Sequence, residues 1–295
     1  MLNKRLMRLV PFWVALAALT SSPAVNSQNA RPQSPAPTNL GQDGWGRPIT
    51  ALPKDAKPAP APKQDLSGIW DSGLNGNQVL GAQAMPDDGK PQHQLPLTPA
   101  GREVFNHTKP ASGFRSTVPA DNNDPVLVFG DPQGFPREDL YELRAVQILQ
   151  TPQSVVLLYQ FGKIWRVIWT DGRELPKDPE PRWFGYSVGK WVDDSTLVVE
   201  TTGLDERTWV DKAGRPHSGD LRVEERFHRP DRDHLELSMT IDDPKMYTKP
   251  WVALDKIRLE LQPTSFDIRE MIWAPSEFQD YNKLIGNAVS DKDSR

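Results

Sequence analysis

The chain has 295 residues, 25% of them charged and 37% hydrophobic, which suits one large globular domain or two small ones and excludes a disordered or polytopic membrane chain. It has no cysteine, so disulfides, thiolate metal sites and a cysteine nucleophile are excluded. The formal charge of −4 offers no broad basic field, and no nucleic-acid partner is expected.

Lys4, Arg5 and Arg8 precede an apolar run from Leu9 to Leu19, and the small residues Ser21, Ser22, Ala24 and Ser27 follow. That is the order of a secretory signal, with cleavage after Ala24 or Ser27. The run is too short to span about 30 Å of hydrocarbon. Residues 1–27 therefore read as a signal peptide and the protein as periplasmic or secreted, with no stable membrane insertion after cleavage. Residues 28–64 carry Pro32, Pro35, Pro37, Pro48, Pro53, Pro58, Pro60 and Pro62 among small and polar residues, and read as a disordered linker.

The folded domain spans 65–286 and opens with the strand around Leu66-Ser67-Gly68-Ile69-Trp70. From Ser72 to Asp124 the chain is irregular, the composition of a lid, a plug or a coat. One helix is expected there over Ala100–Asn106, with Thr98 as N-cap and Pro99 at the first helical position. Beyond Pro125 the apolar period becomes two. Val155, Leu157, Tyr159 and Phe161 share one face, and Gly162-Lys163 turns the chain into Ile164–Trp169. Runs at Phe184–Trp191 and Thr196–Thr202 follow. Leu221, Val223 and Phe227 oppose Arg222, Glu224 and Arg226. His228–His234 reads as a solvated hairpin tip. Leu235, Leu237, Met239 and Ile241 alternate with polar residues. In the last strand, Trp251–Leu261, the apolar parity changes between Leu254 and Ile257, which predicts a bulge. A short C-terminal helix begins with Ser276 as N-cap, and residues 287–295 form a disordered tail. The expected fold is mainly β: a single antiparallel meander barrel of about eight to ten strands, with one short helix in the N-terminal half and one at the C-terminus.

Gly68-x-Trp70 on the first strand, followed by a meander and a late basic residue, resembles the calycins, the group of lipocalin-like small-ligand barrels. The resemblance implies that Trp70 seals one barrel end against Arg258 or Arg269. A longer string is similar to a group of uncharacterised exported bacterial proteins. It comprises Asp65–Trp70, Asp131-Pro132-Gln133-Gly134-Phe135-Pro136-Arg137, Leu197–Thr201, Thr240–Pro244 and Tyr247–Trp251. That group implies cysteines where this chain has Gly130 and Trp273. It implies a compartment and a fold but no reaction.

Several residues are candidates for chemistry. Asp131 and Arg137 flank a proline-framed turn that could hold them rigidly for a polar group, or simply pair them. His217 with Asp220, in the loop Pro216–Asp220, could form an acid–base pair, with Arg137 stabilising negative charge; a buried structural histidine is the alternative. Trp165 and Trp169 form a stripe with Val167 that either lines an apolar pocket or is plain core. His228, Asp231, Asp233 and His234 cluster at the hairpin tip without the spacing of a known metal site. No metal and no cofactor are expected. The leading expectation is a monomeric binding barrel for a small apolar or aromatic molecule. The alternatives are an enzyme on the same barrel (a lyase, isomerase or hydrolase) and a structural envelope protein.

Overall fold

The computed structural model describes residues 45–48, 58–72, 85–141, 143–272, 274, 276, 279 and 280. The stretch that reads as a signal peptide, most of the stretch that reads as a linker, Trp273 and residues 287–295 lie outside them. Among the described residues there are nine strands: β1 (Gly68–Asp71), β2 (Val146–Gln150), β3 (Ser154–Tyr159), β4 (Trp165–Trp169), β5 (Tyr186–Trp191), β6 (Thr196–Thr202), β7 (Arg222–Asp231), β8 (His234–Asp242) and β9 (Trp251–Leu261). They pair in chain order, and β9 returns to β1 through Trp70↔Leu261 and Asp71↔Glu260, closing a barrel. Closure satisfies the edge strands that an open sheet would expose.

One pair corrects the purely antiparallel expectation. β4 and β5 run parallel, joined at Ile168↔Ser187 and Trp169↔Val188. The cause is the intervening segment. Pro176, Pro179 and Pro181 fix their own φ at about −65°, while Asp178 turns the chain with a φ of 54°. An extended chain covers about 3.3–3.6 Å per residue, so this segment can run back past the short β4 before β5 begins.

Alternation places the core inside. Leu235, Leu237, Met239 and Ile241 of β8 are buried, as are Val223 and Phe227 of β7. The expected bulge in β9 falls at Asp255-Lys256: Leu237 opposes Ile257, whereas Met239 opposes Leu254. β2 was not anticipated. Val146 and Ile148 face inward, but exposed Leu149 blurs the apolar–polar alternation.

Short α-helices accompany the barrel, three of them with bounds fixed among the described residues. The first, α1 (Pro99–His107), is capped as expected, Thr98 Oγ1 accepting from the Gly101 amide at 3.0 Å. Its Gly101 lies so close to the Met246 carbonyl that a Cβ would come within 2.1 Å of that oxygen. The other two, α2 (Pro125–Phe129) and α3 (Arg137–Tyr141), were not anticipated and flank the proline-framed turn at Asp131–Arg137. Asp124 caps α2 by accepting from the Val126 amide at 3.0 Å. Of the expected C-terminal helix, Ser276, Gln279 and Asp280 are described, and all three are helical.

Trp70 is fully buried and donates from Nε1 to the Leu66 carbonyl at 2.8 Å. The guanidinium beside it belongs to Arg229, 4.8 Å from the ring, and not to Arg258 or Arg269. The β9 bulge places Ile257 and Leu259 inward, and so turns Arg258 outward. Arg229 lies in the segment read as a solvated tip. There β7 continues to Asp231, and Arg229 is buried, donating to the Asp65 and Arg232 carbonyls at 2.8 Å each. The end of the linker is also ordered against the barrel. The Arg232 amide donates to Ala59 O at 2.9 Å, and the Gln64 amide to Asp194 O at 2.6 Å.

Candidate functional site

Inside the barrel sits a charged cluster. Arg166 on β4 donates to both oxygens of Glu225 on β7, with Nη1 at 2.9 Å from Oε1. Its remaining donors go to Ser187 on β5 and Thr201 on β6, which oppose each other in register. Phe135 lies flat against the same guanidinium, 3.7 Å from Cζ to the ring centroid. Glu138 and Asp139 of α3 and Tyr159 of β3 complete the group. Asp139 Oδ1 and Oδ2, Glu138 Oε2 and the Tyr159 hydroxyl are buried with no hydrogen bond of ordinary geometry, although Tyr159 and Glu225 lie near enough to act on the Asp139 carboxyl. Burial, and then the neighbouring Glu225 charge, push the Asp139 carboxyl up to about 7, against the opposing pull of Arg166. Burial and Asp139 push Glu138 up to about 9. Charges this deep are tolerated only where they are paired or neutral. Arg166 and Glu225 take the first route, and Glu138 and Asp139 the second.

That ion pair decides which way β4 faces. Arg166 and Ile168 register against inward Leu157 and Val155, so Trp165, Val167 and Trp169 take the outer face. The expectation of tryptophans deeper in the barrel is therefore corrected: Trp165 is 67% exposed and Trp169 37%. They line a cleft of about 600 Å³ on the outside of the wall, where β4 and β5 part. Trp183, Phe184 and Tyr186 form its other side, and Arg173, Glu174 and Arg182 bring charge to it. Guanidinium groups stack on its rings. Arg173 lies 3.7 Å from the Trp169 centroid, Arg182 4.2 Å from Tyr186, and Arg207 4.4 Å from Trp183. Such contacts hold aromatic faces rigid at a surface.

The other expected site residues lie elsewhere and apart. Arg137 is buried and forms a two-pronged pair with Asp124, at 2.9 and 2.6 Å, rather than with Asp131. Asp131 instead acts electrostatically on Arg207. His217 is buried, its Nδ1 3.2 Å from the Ser218 carbonyl, its Nε2 without a partner, and its pKa lowered by burial. Asp220 forms an ion pair with Lys245 at 3.1 Å and no hydrogen bond to His217. The acidic partner in that loop is Asp243, which accepts from the Ser218 amide and hydroxyl at 2.6 and 2.9 Å. At the hairpin tip His234 pairs with Asp231 at 2.7 Å.

Sequence reasoning missed the Arg166–Glu225 pair and Arg182. The pair left a trace: Arg166 lies on the parity of Ile164 and Ile168, and Glu225 on that of Val223 and Phe227. A single charge of each sign on otherwise apolar faces signals a buried partner. Arg182 left no such trace. No protein-family model, curated protein or solved structure matches the chain.

Proposed function

We propose that the protein is an exported β-barrel that binds a small apolar or aromatic molecule in the cleft over β4 and β5. The observation that carries this reading is Trp165. It stands 67% exposed on a paired strand, at the wall of a cleft of about 600 Å³. Trp169 and Trp183 each already carry an arginine on one face, whereas Trp165 carries none among the described residues. An exposed indole leaves apolar area in water, and ligand contact would remove that cost. The volume suits small-molecule sites, which run from about 300 to 1,000 Å³. Export rests on the order of Lys4, Arg5 and Arg8, the Leu9–Leu19 run and the small residues after it. The acid–base alternative is not favoured, because Asp220 is engaged by Lys245 and neither His217 nor Asp220 lines the cleft.

The test is a fluorescence titration with N-phenylnaphthylamine, a neutral aromatic probe that brightens in apolar sites. Trp165→Ala should weaken binding about tenfold, the loss of roughly 1.4 kcal/mol of aromatic contact, without lowering the urea midpoint. Wild-type affinity in both Trp165→Ala and Trp169→Ala would refute the assignment.

A further inference from the structure

The cleft's arginines differ in what neutralises them. Arg166 is inside the wall, with its guanidinium committed to Glu225, Ser187 and Thr201. Arg173 grips Asp171 with Nε and Nη2, at 2.9 and 2.6 Å, while covering Trp169. Arg207, over Trp183, grips Asp205 in the same way. Arg182 has no such carboxylate. Its guanidinium rests on the Tyr186 ring and makes no ion pair among the described residues.

The residue that carries this uncompensated charge is held on every side. Its amide donates to the Gly203 carbonyl at 3.0 Å, and its own carbonyl accepts from the Asp205 and Gly185 amides at 3.0 and 3.2 Å. Gly185 fits that turn because its φ is +59° and a Cβ there would come 2.5 Å from the Thr202 carbonyl oxygen. The Tyr186 platform is fixed by its hydroxyl, which donates to the Glu180 carbonyl at 3.1 Å. A guanidinium that lines the cleft on a fixed backbone, resting on an aromatic face, suits a planar carboxylate.

We infer that the cleft takes an aromatic monocarboxylate, its carboxylate on Arg182 and its ring against Trp165, an inference that rests on the cleft being the ligand site. Glu174 supports the restriction to one negative charge. It lines the same cleft and makes no ion pair among the described residues, so a second anionic group placed near it would be repelled.

The test is calorimetric titration of the purified full chain with naphthoate, naphthalenemethanol and naphthalenemethylamine, which share a ring system and differ in charge. Naphthoate should bind about tenfold more tightly than the alcohol, and the gap should narrow as salt is raised. Arg182→Gln should abolish the gap between naphthoate and the alcohol; the Arg182 side chain is exposed, so its loss does not open the core. Arg182→Lys should restore part of it. Equal affinity for naphthoate and the alcohol in the wild type would overturn the charge assignment while leaving the cleft as an aromatic site. Tighter binding of the amine would transfer the anchor to Glu174 and overturn it too. If none of the three binds, the cleft reading falls with it.

Discussion

Replacing Asp139 by Asn should reverse part of the pH dependence of stability. The carboxyl is buried on α3 beside Glu225, and its pKa rises from an ordinary 3.8 to about 7. The folded state therefore holds this proton more tightly than the unfolded state does. Its contribution is fully present below pH 3.8. It is lost progressively as the pH climbs to about 7, and above that no more is lost. At about 1.4 kcal/mol per pH unit, the loss across that interval reaches about 4 kcal/mol as a ceiling. Asp139→Asn keeps the shape and cannot ionise. Relative to wild type it should gain stability steadily from pH 4 to 7. Urea unfolding of both proteins between pH 4 and 7 measures the difference, in which titrating groups remote from Asp139 cancel, while Glu138, which burial and Asp139 push up to about 9, stays protonated. Any cost of burying the amide is a constant offset and does not change the slope. A difference that stays flat across this range would refute the buried, proton-retaining carboxyl.

Two further outcomes follow from the fold. Trp70→Ala should cost about 3–5 kcal/mol in urea unfolding, because it empties a fully buried site and strands Arg229 against the cavity; a cost below about 1 kcal/mol would mean that Trp70 does not seal the barrel. Asp124→Ala should be as damaging, since it leaves the buried Arg137 guanidinium unpaired and removes the α2 cap; Asp124→Ala combined with Arg137→Met should recover much of the loss, and a double variant no better than the single would show that the pairing is not what matters.

What could be read from the sequence follows from how each segment is solvated. β8 is half in water, so its apolar residues alternate openly, and α1 carries its cap in local residues. The barrel order follows, since short turns join most neighbours. Contacts between distant residues leave weaker traces. Arg166 and Glu225 are 59 positions apart and Arg229 and Asp65 are 164 apart, and nothing local says that these polar groups meet. By hydropathy alone, β4 should turn Trp165, Val167 and Trp169 to the core and Arg166 to water. The structure does the reverse, because a guanidinium paired on both prongs and hydrogen-bonded to Ser187 and Thr201 can be buried, whereas the same guanidinium unpaired cannot. The exposed tryptophans are thus a consequence of the ion pair. If the pair determines the face of β4, it also determines that the aromatic cleft exists, and the buried charges of Arg166 and Glu225 are what place the candidate ligand site on the outside of the wall.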